Sequence, residues 1–249
     1  MGLLLTLLLG LFIILGAVIV FLTKNNDRFI QFSISLAFGV IAMLIITDLI
    51  PEAYEIIGSG NLIYDTLYII IGASIGFVLL KILDYFVPDH EDNLSTTSDD
   101  DKNLKHIGMV ASIALVIHNI VEGMAIYLLV NSDIKAGLMA CVGVGLHNIP
   151  LGMVITSAFY KANKNKKHTM LIIMGISLST FIGGILISCL PFNDIMELVE
   201  GISLTLTLGM LIYILLLELL PKIIHTKQKG ITILGILLGV LLLTITLFV

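Results

Sequence analysis

The residues in this sequence with the clearest capacity for chemistry are two copies of a His-Asn-Ile triplet. One copy begins at His118 and the other at His147, and each lies near the middle of a long apolar segment. Glu122 follows His118 by four residues, so an α-helix would present the imidazole and the carboxylate on one face. A nitrogen donor and an oxygen donor one helical turn apart can bind a single divalent metal ion.

A purely structural alternative exists for both triplets. His118 could bond to Glu122 as a polar clamp between helices, and Pro150 could be a plain helix kink. Pro150 also cannot donate to the carbonyl of Leu146 and crowds it, which frees a backbone oxygen beside His147. Because the same triplet recurs in consecutive apolar segments, a metal site is favoured over chance packing.

The composition indicates that these residues lie within a lipid bilayer. Of the 249 residues, 58% are hydrophobic and only 12% are charged. A soluble domain is about half apolar and about a quarter charged. This chain therefore has too little polar surface to cover a water-soluble particle, and lipid must cover it instead.

The apolar segments predict an all-α integral membrane protein with eight transmembrane helices in a single domain, 1–249. A membrane-spanning helix needs about 20 predominantly apolar residues, whereas the strands of a membrane barrel alternate over about ten residues. The predicted spans are 3–22, 32–57, 63–86, 107–130, 136–160, 168–190, 198–220 and 230–249.

The basic residues predict how the chain is oriented. Twelve of the 13 lysine and arginine residues lie at the odd-numbered breaks between spans, and only Lys135 lies at an even-numbered one. Basic residues favour cytoplasmic loops, so we expect a multi-pass protein of the cell membrane with both termini extracytoplasmic. The longest break, 87–106, is acidic and cytoplasmic. A solvated linker is the preferred interpretation for it, and weak metal collection through His90 and His106 is the alternative.

An acid-x-x-Pro pattern occurs at the ends of the second and seventh spans. It begins at Asp48 in one and at Glu218 in the other, 170 residues later. The two spans run in opposite directions, and inverted repeats of this kind are typical of transporters whose substrate site lies near the midplane. We expect Asp48 to serve the outer half of a transport path and Glu218 the inner half. A helix-terminal carboxylate at the membrane interface is the alternative, and for Glu52 it is the preferred one.

Three motifs resemble those of the ZIP family of metal transporters, and the resemblance covers nearly the whole chain. Segment 118–123 resembles the family's His-Asn-x-Pro-Glu-Gly motif on the fourth span, 147–152 resembles its partner on the fifth, and 218–221 resembles the carboxylate motif of the seventh. The resemblance implies a 3+2+3 arrangement of the eight helices with inverted-repeat pseudosymmetry.

The sequence departs from the family pattern at several of these positions. Val121 replaces the usual proline, Leu151 stands where a metal-binding glutamate is common, and Asn148 stands where some members have aspartate. The sixth span also lacks the glutamate that completes a second metal position. The resemblance therefore implies a single mid-membrane site, with the two asparagines as weaker neutral ligands: His118, Glu122, His147, Asn119 and Asn148.

These observations together predict a divalent metal transporter and not an enzyme. We expect import of Zn²⁺ into the cytoplasm, and Fe²⁺, Mn²⁺, Co²⁺ and Cd²⁺ also suit mixed nitrogen and oxygen ligands. The metal is substrate and no cofactor is expected. The expected partners are the metal ion and the lipid bilayer, without nucleic acid, and a homodimer stays open. The alternatives are an intramembrane metal-dependent hydrolase, with Glu122 as its base, and a non-transporting metal sensor.

Overall fold

A computed structural model describes residues 1–23, 26–86, 99–189 and 194–246. Within these ranges the regular structure is entirely helical, and eight helices are long and apolar enough to cross a membrane. They confirm the prediction of an all-α membrane protein with eight helices able to span a bilayer. We label them α1 (Gly2–Leu22), α2 (Asp27–Ile57), α3 (Leu62–Phe86), α4 (Asp99–Ser132), α5 (Ile134–Asn163), α6 (Lys166–Ser188), α7 (194–225) and α8 (Lys229–Thr246).

The predicted acidic loop is shorter than expected at its C-terminal end. Helix α4 begins at Asp99, so residues 99–106 are helical and do not belong to a loop. The remainder of the loop, 87–98 with His90, lies outside the described residues.

The connection between α4 and α5 places the two triplets at the same depth. Asp133 alone separates the helices, and its side chain caps α5 by accepting from the backbone N–H groups of Lys135 and Ala136. His118 lies 14 residues before the end of α4, and His147 lies 13 residues after the start of α5. At 1.5 Å per residue both lie about 20 Å from the connection, so antiparallel packing brings the two imidazoles together.

Helices α2 and α7 share a local irregularity at the acid-x-x-Pro pattern. Each contains a π-helical segment, Ile45–Leu49 in α2 and Ile214–Leu219 in α7. Pro51 and Pro221 follow within the next turn. Proline lacks an N–H and crowds the preceding turn, and the wider π turn accommodates it. The same device therefore places Asp48 and Glu218 at corresponding points of their helices.

The packing between helices repeats in the two halves of the chain. Helix α2 packs on α8 as α7 packs on α3, and α1 packs on α5 as α6 packs on α4. A Cβ at Gly39 would lie 2.5 Å from the carbonyl oxygen of Ile236 on α8, and one at Gly209 would overlap the carbonyl oxygen of Ala73 on α3. The set of helix pairs that pack together is therefore the same when α1, α2 and α3 change places with α6, α7 and α8, and α4 changes place with α5. The 3+2+3 grouping itself stays a prediction.

Candidate metal site

The structure brings His118, Glu122 and His147 into one buried cluster between α4 and α5. The Nε2 atom of His118 lies 2.9 Å from Oε1 of Glu122, and the Nε2 atom of His147 lies 2.7 Å from the same oxygen. The two imidazole centroids are 6.3 Å apart. Both histidines are only 2% exposed. Three potential ligand atoms, all within 4.8 Å of one another, therefore converge on one point.

Glycines at the ends of the two motifs let neighbouring helices hold this geometry. A Cβ at Gly123 would overlap the carbonyl oxygen of Thr180 on α6, and one at Gly152 would overlap the carbonyl oxygen of Ile13 on α1. No side chain larger than hydrogen fits at either contact. Since each motif packs against a different neighbour through its glycine, α4 and α5 are fixed from both sides.

The two asparagines lie beside the cluster but make different contacts. Asn148 donates from Nδ2 to Oε2 of Glu122 at 3.1 Å, whereas Asn119 donates to the carbonyl oxygen of Ile176 on α6 at 3.3 Å. Both are fully buried, and neither Oδ1 atom has a hydrogen-bond partner. Asn148 therefore orients the carboxylate, and Asn119 ties α4 to α6. Ligation by either amide oxygen stays a prediction.

The donor set can hold a borderline divalent cation. Two imidazole nitrogens and one carboxylate oxygen form a His₂Glu set, which binds Zn²⁺ and leaves a fourth position for water or another ligand. Without a metal ion, the Glu122 carboxylate accepts a hydrogen bond from Nε2 of His147. Nε2 of His118 makes an ion-pair contact of 2.9 Å with the same oxygen but no hydrogen bond, so the clamp interpretation is met through His147 and this contact. The two interpretations are compatible, because an arriving cation replaces the imidazole protons that face the carboxylate.

A cavity of about 780 Å³ connects the cluster to the end of the bundle at which α2 and α4 finish. At its inner end lie His118, Glu122 and His147, and Asp48 lines its wall. Glu52, assigned to the membrane interface from sequence, lines the same wall. Sequence reasoning missed Glu55 altogether. Because these three acids lie at positions i, i+4 and i+7, their spacing already placed them on one helical face.

Glu218 lies on the opposite side of the cluster from this cavity and does not line it. Its carboxylate is within 4.8 Å of ligand atoms of Asp84 on α3 and His106 on α4. His106 Nε2 lies 2.7 Å from Asp84 Oδ1, and the Tyr213 hydroxyl donates to Asp84 Oδ2 at 2.6 Å. Asp84 and Tyr213 were not singled out from sequence. The signal was available for Asp84, which is an ionisable residue inside a predicted span.

Comparison with known proteins identifies the family of this chain. The family model described as "ZIP Zinc transporter" matches residues 88–246. A protein of Streptococcus mutans named "Zinc transporter ZupT" is 26% identical, with 98% of this chain and 95% of that protein covered. Proteins of the same name from Nitratidesulfovibrio vulgaris and Chlorobaculum parvum are 27% and 28% identical, each with 98% of this chain and 95% of the relative covered.

The matched family consists of transporters and not of enzymes, so the metal ion is cargo and not a cofactor. Its match extends over more than half of the chain, which has eight helices able to span a membrane among the residues described. This multi-pass membrane protein, a divalent metal transporter, therefore belongs to the ZIP zinc transporter family.

Proposed function

We propose that this protein imports Zn²⁺ into the cytoplasm through one mid-membrane site formed by His118, Glu122 and His147. The observation that carries the proposal is the convergence of these three side chains at the depth of a cavity that opens at one end of the bundle. The proteins named zinc transporters, which align along nearly the whole chain, support Zn²⁺ as the ion.

The cavity wall suits the approach of a cation. Asp48, Glu52 and Glu55 all line it between the end of α2 and the cluster. A cleft lined by charges of one sign and walled by apolar side chains raises the local concentration of ions of the opposite sign. We assign these carboxylates to the outer half of the transport path, and Glu218 to the inner half.

A single ion at the central site follows from the residues around it. Leu151 is buried in α5, where the family's motif commonly has a glutamate. Ser177, Ser179 and Thr180 are buried in α6 and offer only hydroxyl oxygens. Among the described residues, the candidate ligands at this site are His118, Glu122 and His147. One carboxylate can neutralise only half the charge of one divalent cation, so a second ion is not expected.

The basic residues support the proposed orientation of the protein in the membrane. Lys161 at the end of α5 lies 3.0 Å from Asp27 at the start of α2, at the end of the bundle opposite the cavity. Most other lysines lie at this end too, which we place in the cytoplasm. The cavity then faces outward and both termini are extracytoplasmic. We retain the homodimer as a hypothesis, which light scattering of the purified protein tests.

Uptake of Zn²⁺ into proteoliposomes tests the proposal. Glu122→Gln keeps the size of the side chain and removes its charge, and His118→Ala removes one nitrogen ligand. We expect each change to abolish saturable uptake, while His168→Ala, which removes an exposed histidine from α6, leaves uptake unchanged. Full activity of Glu122→Gln would overturn the assignment of the site. Bound Zn²⁺ without uptake by the wild-type protein would favour a sensor.

The direction of transport needs a separate measurement. We expect Zn²⁺ to accumulate in cells that produce the protein. In the variant Glu55→Cys, which places a thiol on the cavity wall, we expect a membrane-impermeant thiol reagent to label the new cysteine from outside the cell. Cys189 is also exposed, so labelling is measured as well in the Glu55→Cys variant that carries Cys189→Ser, in which Cys189 cannot react. Labelling of Glu55→Cys only after permeabilisation would reverse the proposed orientation.

A further inference from the structure

The side chain of Thr207 on α7 is a buried polar group whose hydroxyl has no hydrogen-bond partner among the residues described. Thr207 is 1% exposed. Threonine hydroxyls inside membrane helices commonly bond to a carbonyl oxygen of their own helix. Thr205 is equally buried and does so, at 3.0 Å from the carbonyl oxygens of Gly201 and Ile202. Because a buried hydroxyl without such a bond is destabilising, Thr207 points to a role in binding.

The position of Thr207 on α7 directs its side chain away from α3. Helix α7 packs on α3 through other residues, since a Cβ at Gly76 would overlap the carbonyl oxygen of Leu206, and one at Gly209 would overlap that of Ala73. At about 100° per residue, Thr207 is rotated by about 100° from Leu206 and about 200° from Gly209. Its hydroxyl is therefore not part of the interface between α7 and α3.

The residue one turn earlier shows what this side of α7 faces. Leu204 lines the same cavity as His118, Glu122 and His147. Leu204 and Thr207 are three residues apart, so they lie on neighbouring parts of one helical face. Thr207 is about 4.5 Å further from the mouth of the cavity than Leu204. This places it at the inner end of the cavity, where the central site lies.

A measurement along the helices from the other end gives the same depth. Ligand atoms of Glu218 on α7 and His106 on α4 lie within 4.8 Å of one another, and α4 and α7 are in contact. From this pair toward the cavity, His118 is 12 residues away, or about 18 Å, and Thr207 is 11 residues away, or about 16 Å. Thr207 and His118 therefore lie at nearly the same depth.

The central site has a use for one more oxygen at this depth. His118, Glu122 and His147 provide three donors, and a His₂Glu set leaves a fourth position around Zn²⁺. The neighbours of Thr207 on its side of α7 are apolar and buried, Leu204 and Leu211. The hydroxyl is thus the polar atom that this part of α7 offers. A neutral oxygen is a weak ligand, which suits a site that must also release its ion.

We propose that the Thr207 hydroxyl oxygen is the fourth ligand of the ion bound by His118, Glu122 and His147. The inference rests on the proposed function, because it extends the same site. Helices α4 and α5 supply the first three ligands, so a contact with Thr207 ties α7 to them only while the ion is bound. Loss of this contact accompanies release of the ion.

Cobalt spectroscopy of the purified full-length protein in nanodiscs tests where residue 207 lies. A thiol that coordinates a metal ion is deprotonated, and a thiolate bound to Co²⁺ absorbs strongly in the near ultraviolet through charge transfer. We expect Thr207→Cys to gain this absorption. Thr205→Cys is the matched control and should not gain it, because Thr205 faces Gly72 on α3. The wild type provides the baseline, since it contains Cys141 and Cys189. Bound Co²⁺ without the new absorption in Thr207→Cys would overturn the proposal.

Equilibrium binding of Zn²⁺ measures the contribution of the hydroxyl itself. Thr207→Val keeps the shape of the side chain and should raise the Kd about tenfold, the lower end of the effect of removing a group that supports a metal site. Thr207→Ser should restore binding to near the wild-type Kd, and Thr205→Val should bind as the wild type does. Without metal, Thr207→Val should unfold at the wild-type temperature or above, since it replaces an unpaired buried hydroxyl.

Glu122→Gln in the same binding assay separates this inference from the proposed function. Loss of binding in Glu122→Gln, together with a wild-type Kd in Thr207→Val, would overturn the role of Thr207 and leave the central site intact. A wild-type Kd in Glu122→Gln would overturn both. A raised Kd in Thr207→Val with an unfolding temperature below that of the wild type would indicate a structural role and also overturn the proposal.

Discussion

The replacement Asn148→Asp tests how the central site is organised, because it changes a donor into a second negative charge. In the wild type, Nδ2 of Asn148 donates to Oε2 of Glu122 at 3.1 Å. In the variant, two carboxylate oxygens would face each other at that distance. With an effective dielectric constant of 20 the repulsion amounts to about 5 kcal/mol. Protonation of one carboxyl group relieves the repulsion. The free-energy cost of that protonation falls by about 1.4 kcal/mol for each unit by which the pH is lowered.

We therefore expect Asn148→Asp to unfold at a lower temperature than the wild type at pH 8 without metal, and to approach the wild type as the pH falls to 5.5. Zn²⁺ at pH 8 should raise its unfolding temperature more than that of the wild type, because a cation between two carboxylates removes their repulsion. Thermal unfolding in detergent, followed by intrinsic tyrosine fluorescence, measures both effects.

Two matched variants make this measurement specific. Asn163→Asp adds the same charge near the end of α5, 15 residues from Asn148, and should show only the small effect of a charge at a helix C-terminus, below about 1 kcal/mol. Asn148→Ala removes the donor without adding charge and should show no pH-dependent loss. The reasoning is refuted if Asn148→Asp is as stable as the wild type at pH 8 in the absence of metal.

Three further predictions concern packing, the cavity wall and ligand protonation. Gly123→Ala should lower the free energy of unfolding by about 1–3 kcal/mol, because the added methyl group meets the backbone of α6. Gly175→Ala is the control in the same unfolding assay and should be neutral, because there is open space around Gly175. Neutralising the three acids of the cavity wall should raise the KM for Zn²⁺ several-fold at low salt and much less at 0.5 M salt, with little change in maximal rate; an equal effect at both salt concentrations would contradict steering. The wall residues to be replaced by their amides are Asp48, Glu52 and Glu55. Zn²⁺ affinity should fall as the pH is lowered from 8 to 5.5, because ligation requires unprotonated imidazole and carboxylate groups; a binding isotherm that does not move over this range would argue against histidine ligation.

The convergence of His118, Glu122 and His147 could be predicted from sequence because local rules determine it. The spacing of four residues places His118 and Glu122 on one helical face whatever the rest of the fold does. The single residue between α4 and α5 then leaves antiparallel packing as the only way to continue, which brings His147 to the same depth. Apolar length alone was sufficient to find the eight helices, since a bilayer demands internally satisfied backbone groups.

The group formed by Asp84, His106 and Glu218 could not be predicted in the same way, because its members meet only through tertiary packing. Asp84 and Glu218 are 134 residues apart, and nothing in the spacing of either relates it to the other. His106 lies in a stretch with several charges that reads as loop by hydropathy, yet the structure continues α4 through it. The contact of α3 with α7, which brings Asp84 to Glu218, depends on the close approach at Gly209.

The two acid-x-x-Pro patterns show how similar local structures come to lie in different surroundings. Asp48 and Glu218 each lie in a π-helical segment, and each precedes a proline by three residues. Their helices pack on equivalent neighbours, α2 on α8 and α7 on α3. The difference must therefore come from the side chains opposite. Asp48 accepts from its neighbour Thr47 and lines the cavity, whereas Glu218 lies near Asp84 and His106, between α7, α3 and α4.

Alternating access requires two inverted halves around a central site to open in turn, and here the cavity reaches that site from the end of the bundle opposite Asp84, His106 and Glu218. If the halves exchange roles during transport, the contact between His106 and Asp84 must break whenever the cavity on the other side closes. A disulfide that joins α3 to α4 near these residues would then hold the protein in the form described here. We expect such a cross-linked protein to bind Zn²⁺ at the central site and to transport none, and reduction of the disulfide to restore uptake. Undiminished uptake by the cross-linked protein would mean that the contact between His106 and Asp84 does not break during transport.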